Sequence, residues 1–137
     1  MKLYSNETGH ELVRATRDLV VSALARVEIP SAIWRKVRLG ELDETDAGTL
    51  VAAFETDYYG APESDATFAV VAAVDGVLAD AAQLTASLGL RAVDAIQLAA
   101  ARAARAADPS CAMFVCFDGA LRRAAATVGF RLIPEQT

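Results

Sequence analysis

Three acidic residues stand in apolar company. Glu28 lies in Leu24-Ala25-Arg26-Val27-Glu28-Ile29-Pro30, Asp94 lies in Leu90-Arg91-Ala92-Val93-Asp94-Ala95-Ile96-Gln97-Leu98-Ala99, and Asp118 directly follows Val115-Cys116-Phe117. A carboxylate among apolar neighbours is costly unless something compensates its charge. A divalent cation is one such compensation, since Mg²⁺ takes oxygen ligands, keeps several waters and needs only a few carboxylates. Held against a phosphodiester, such an ion activates a water and steadies the leaving oxygen. Each acid also has a simpler reading. Asp94 can favour the positive end of its helix dipole, Asp118 can cap the helix that follows, and Glu28 can pair with Arg26 or Lys36 at the surface. The three together, each near the same predicted sheet edge, favour a shared site.

The elements that must position these acids follow from periodicity and punctuation. Glu7 to Arg17 reads as a short helix, and Leu19-Val20-Val21 as a brief buried strand. Ser22 reads as the N-cap of a helix through Glu28 and Trp34 to about Leu39, with Pro30 expected to kink or restart it. Gly40 ends that helix, and Asp43 caps the next, to about Tyr58. Residues 60–64 form a loop, and Phe68 to Val71 is strand-like. Asp75 caps a helix that stops at Gly89, and a further helix runs from about Ala92 to Ala107, where Asp108-Pro109 breaks it. Ala112 to Phe117 is a buried strand, Leu121 to Val128 the last helix, and Phe130 to Ile133 a final short strand. Wholly apolar strands alternating with helices argue for an α/β fold whose parallel sheet is covered on both faces. Function in such sheets collects at the carboxyl ends of the strands, where Asp118 falls.

The chain has 137 residues, 54% hydrophobic and 23% charged, which fits one packed domain spanning residues 1–137. No stretch reads as a signal peptide and no apolar run approaches the ~20 residues that span a bilayer. The expected compartment is the cytoplasm, with no membrane partner. A net charge of −5 does not by itself invite nucleic acid, but a carboxylate metal site is a pocket of negative charge that the ion neutralises. Cys111 and Cys116 would point to opposite faces of a strand, which is poor geometry for a disulfide. They read as small buried hydrophobes. His10 lacks an identifiable orienting partner and reads as a surface residue. Trp34 reads either as core or as part of a groove for a protein partner, and Arg91 either as a surface residue or as a contact for RNA phosphate. No Gly-rich phosphate loop and no Ser/His/Asp order is present.

The runs 20–28 (Val-Val-Ser-Ala-Leu-Ala-Arg-Val-Glu), Leu90 to Ala99 and Phe114-Val115-Cys116-Phe117-Asp118-Gly119-Ala120-Leu121 resemble the motifs of PIN-domain ribonucleases. More narrowly, they are similar to VapC-type toxins of bacterial toxin–antitoxin pairs. The closing run Ala124 to Pro134 fits too, so the resemblance covers Lys2 to Pro134. It implies a three-layer α/β/α sandwich with a central parallel sheet. It also implies Mg²⁺- or Mn²⁺-dependent endoribonuclease activity on RNA and inhibition by a cognate antitoxin; whether the chain forms a homodimer is left open by the sequence. Glu28, Asp94 and Asp118 would be both the catalytic and the metal-binding residues, taking the family's second, third and fourth acidic positions.

The chain departs from the family at its start. The family's first strand ends in an aspartate and leads toward a Lys-Leu-Tyr-like run, whereas this sequence enters that element at Met1-Lys2-Leu3-Tyr4. The first strand and first acid therefore have no counterpart. The expectation is that the native protein begins upstream and that Met1 stands for a valine whose GTG codon was read as a start. Without a central strand, neighbouring backbone groups lose partners, and three acids hold a metal less tightly than four. Weak or absent activity is the corresponding expectation. Two other readings remain. One is a non-catalytic PIN-like module that only binds a partner. The other is a phosphatase-like enzyme with Asp118 as nucleophile, which the position of Phe117-Asp118-Gly119 near the C-terminus disfavours.

Overall fold

The computed structural model describes residues 20–63, 65, 68–116 and 118–135. The expected helix at 7–17, His10, and the strand residues Leu19 and Phe117 lie outside the described residues. In chain order the elements are β1 (Val20–Ser22), α1 (Ala25–Arg38), α2 (Glu44–Tyr59), β2 (Ala69–Val71), α3 (Asp75–Leu88), α4 (Ala92–Ala107), β3 (Met113–Val115), α5 (Gly119–Thr127) and β4 (Arg131–Ile133). The alternation expected from the sequence is present, and β3 and β4 pair in parallel with Phe114 opposite Leu132. The described strands, each three residues long, lie in two-stranded pairs.

The chain divides into two compact units. One holds Leu24–Val70; the other holds Val20–Ala23 and the chain from Val71 onward.

In the first unit, α1 packs on α2. Asp43 caps α2 as expected, its side chain accepting from Asp46 N–H at 2.8 Å. Three details refine the expectations, the first of them at β1 of the other unit. Ser22 is the last residue of β1 rather than a cap, and Leu24 takes the N-cap position with no side-chain bond. The cause is the pairing of Ala23, whose N–H donates to Val71 O at 2.9 Å; this prolongs strand pairing past Ser22 and delays the helix. Pro30 does not restart α1, which runs on to Arg38. At the sixth residue of the helix it removes one backbone donor, and the helix tolerates that loss. Trp34 is 38% exposed, so it is not the core residue of this helix; Ile33, one position earlier, is fully buried.

The second unit is built on the α3–α4 pair. Val77, Ala81 and Leu84 recur at helical spacing on α3 and are buried, as are Ala95, Leu98 and Ala99 on α4. Alanines on the buried stripe of α4 let the two backbones approach closely. Gly89, at φ 65°, closes α3 in the left-handed conformation that favours glycine. Asp75 is the first residue of α3 rather than its cap, and Val74 stands at the cap position without a side-chain bond. An acid in the first turn still complements the helix dipole. Phe114 of β3 packs on Phe130, with ring centroids 5.7 Å apart. The Arg105 guanidinium covers the other end of this layer, 4.0 Å from the centre of the Phe130 ring, and donates to Val128 O at 2.9 Å. Among the described residues, no helix is long and apolar enough to cross a membrane.

Candidate functional site

Asp118 stands just beyond the carboxyl end of β3 and is the N-cap of α5. Its Oδ1 accepts from Leu121 N–H at 2.9 Å, and its backbone carbonyl accepts from Arg122 N–H at 2.9 Å. The helix therefore starts at Gly119, two residues before the start expected from the apolar pattern, because Asp118 satisfies its free N–H groups. Asp94 lies in the first turn of α4 and is half-buried. Its Oδ2 is 3.9 Å from Arg91 Nε, a long contact to a side chain that is 88% exposed.

Both acids bear on the thiol of Cys116. Burial pushes its thiol above the ordinary range, and the Asp118 and Asp94 carboxylates both add to the rise. A backbone hydrogen bond with Asp118 and the Arg122 guanidinium partly offset it. The thiol also donates to Asp118 O at 3.7 Å. Cys111 and Cys116 are free thiols, as expected, but both are only partly buried.

Glu28 belongs to the other unit. It sits in the first turn of α1 and lines a cleft of ≈ 430 Å³ with Ser31, Ala32, Arg35, Lys36, Leu39 and Glu41. In this cleft Lys36 Nζ lies 3.9 Å from Glu41 Oε2. Arg26, one of the partners expected for Glu28, donates to the Tyr59 hydroxyl at 2.8 Å and pairs with Glu55 at 3.3 Å. Among the described residues, no three His, Cys, Asp or Glu side chains are grouped closely enough to hold a metal ion.

Sequence reasoning passed over Arg122, which is 8% exposed. Its Nη1 donates to Cys116 O at 2.7 Å and its Nη2 to Pro134 O at 2.6 Å. The helical spacing held a signal, because Arg122 precedes the buried Ala125 by three positions and so shares its face.

Comparison with models of known families finds none that matches this chain, and comparison with curated proteins finds none significantly similar to it.

Proposed function

We propose that the chain is a PIN-type, metal-dependent endoribonuclease, the toxin of a cytoplasmic toxin–antitoxin pair, with Glu28, Asp94 and Asp118 as its acids. The observation that carries this reading is the place of Asp118, just past the carboxyl end of one strand of a parallel pair, with its carboxylate anchored through Oδ1 on Leu121 N–H. In this reading the strand pairs are parts of one central sheet in a three-layer α/β/α sandwich. The donor chemistry fits Mg²⁺ or Mn²⁺, for which one or two carboxylates suffice when water and phosphate oxygens complete the shell. When bound, the ion supplies positive charge to the phosphodiester and acidifies a water.

The chain's own groups do the remaining work. Asp118 keeps Oδ1 on Leu121 N–H, so its carboxylate is held in one orientation with Oδ2 left for a ligand. Arg91, loosely placed against Asp94 and largely exposed, can turn to a phosphate oxygen of RNA and leave Asp94 to the ion. Glu28, in the first turn of α1, is the third acid of this reading.

The test is Mn²⁺ binding followed by paramagnetic resonance, together with cleavage of single-stranded RNA by the purified chain. The expected result is slow cleavage that requires Mn²⁺ or Mg²⁺ and stops with a chelator or on Asp94→Asn substitution. A chain that binds no Mn²⁺ at millimolar concentration overturns the reading. The second reading, a PIN-like module that binds an antitoxin or a second copy without catalysis, draws on the exposed Val27, Leu39 and Tyr59. Mn²⁺ binding without any cleavage would favour it.

A further inference from the structure

Arg122 is the most deeply buried cation among the described residues, and its hydrogen bonds go to carbonyl oxygens. A buried guanidinium is costly unless its donors are satisfied. Here the planar fork meets two acceptors at once, which a point charge such as lysine cannot reproduce. The acceptors are Cys116 O, one residue past β3, and Pro134 O, one residue past β4. Cys116 N–H also donates to Ile133 O at 3.1 Å. The carboxyl ends of the parallel pair are therefore tied together by Arg122 as well as by the strand ladder. The same residue's backbone N–H holds Asp118 O. Arg122 thus fixes the chain on both sides of the step from strand to acid, while the Asp118 side chain is fixed separately by Leu121 N–H.

We propose that Arg122 is a positioning residue, which sets the Asp118 carboxylate for a divalent cation by clamping the carbonyls of Cys116 and Pro134. The inference rests on the metal-site reading above and adds a residue that touches neither ion nor RNA. Groups that orient metal ligands from behind are commonly worth about 10–100-fold in metal affinity.

The test compares Mn²⁺ affinity, by paramagnetic resonance, in the wild-type chain, Arg122→Lys, Arg122→Met and Ala124→Gly. All are measured at a temperature where circular dichroism shows the fold intact. Ala124→Gly loosens the same helix without touching the clamp and is expected to keep wild-type affinity. Arg122→Lys is expected to weaken Mn²⁺ binding about tenfold or more, and Arg122→Met to weaken it further. If Arg122→Met fails to fold, Arg122→Lys decides. Wild-type affinity in folded Arg122→Lys, or an equal loss in Ala124→Gly, overturns the positioning role and leaves the metal site standing. Absence of Mn²⁺ binding by the wild-type chain overturns both.

Discussion

In the unit that carries Asp94 and Asp118, α3, α4, α5 and β3 contribute to one contiguous buried cluster, from Val77 through Leu98 and Phe114 to Phe130. In the unit that carries Glu28, the buried apolar residues among those described are Ile33, Ala47, Phe54 and Phe68. Both units show large apolar side chains at their surfaces, Val27 at 70% and Leu39 at 60% exposed in this one and Val74 at 57% and Met113 at 51% in the other. The links across α1 and α2 include polar contacts in water, such as Arg26 with Tyr59 and Glu55, and exposed pairs of this kind contribute little. Two of the three candidate acids are therefore mounted on a densely packed frame, where a carboxylate can be held within a fraction of an ångström. The third is on α1, which buries Ile33 alone, whereas α4 buries Ala95, Leu98, Ala99 and Ala100. Metal affinity should accordingly depend most on the frame around Asp94 and Asp118.

The largest effect should come from opening the packed cluster. Leu98 is fully buried on α4, so Leu98→Ala is expected to destabilise the protein by about 2–5 kcal/mol. Leu39→Ala, the same substitution at an exposed site of the other unit, should fall within about 0.5 kcal/mol of wild type. Urea denaturation of both variants measures the difference. Equal losses would mean that Leu98 is not packed in the cluster as described.

Asp118 offers a smaller and more informative contrast, because its helix-capping role and its proposed metal role can be separated. Asn is about as good an N-cap as Asp, whereas Ala is poorer by about 0.5–2 kcal/mol. Asp118→Asn should therefore keep near-wild-type stability while Asp118→Ala loses roughly 1 kcal/mol. Both should reduce Mn²⁺-dependent cleavage, by about 10²-fold or more, the scale of losing a group that stabilises transition-state charge. Cleavage by Asp118→Asn at the wild-type rate would reduce Asp118 to a cap.

What could be read in the sequence divides along similar lines. The bounds of α4, the Asp43 cap and the Gly89 stop were legible, because each rests on signals within a few residues of one another. Ser22 misled because its type suits a cap, while a hydrogen bond from Ala23 to a residue 48 positions away keeps the chain extended there. Asp118 was legible as a capping and candidate acid, and the cap is present. Arg122 was not legible as a clamp. An arginine on a short helix reads as solvated until the two carbonyls at the ends of β3 and β4 are known to face it. The assembly of strands was the least legible feature, since three-residue apolar runs specify strands without specifying their partners.

The smallest effect tests the exposed turn that joins two elements of the packed unit. Asp108 ends α4, and its Oδ1 accepts from both Ser110 Oγ at 2.7 Å and Ser110 N–H at 3.0 Å. These bonds favour the charged form and hold the carboxyl below its ordinary range, the hydroxyl contributing most. A carboxyl with a depressed pKa in the folded state adds stability above its unfolded pKa, and that stability is lost as pH falls through the folded value. Ser110→Ala removes the larger contribution and leaves the backbone one. The Asp108 pKa should therefore rise part of the way toward normal, and the variant should lose less stability on acidification than wild type. Carbon-detected NMR titration of the Asp108 carboxyl reads the shift directly. An unchanged pKa in Ser110→Ala would show that the turn, unlike the packed cluster it leaves, is not held by the hydrogen bonds that define it here.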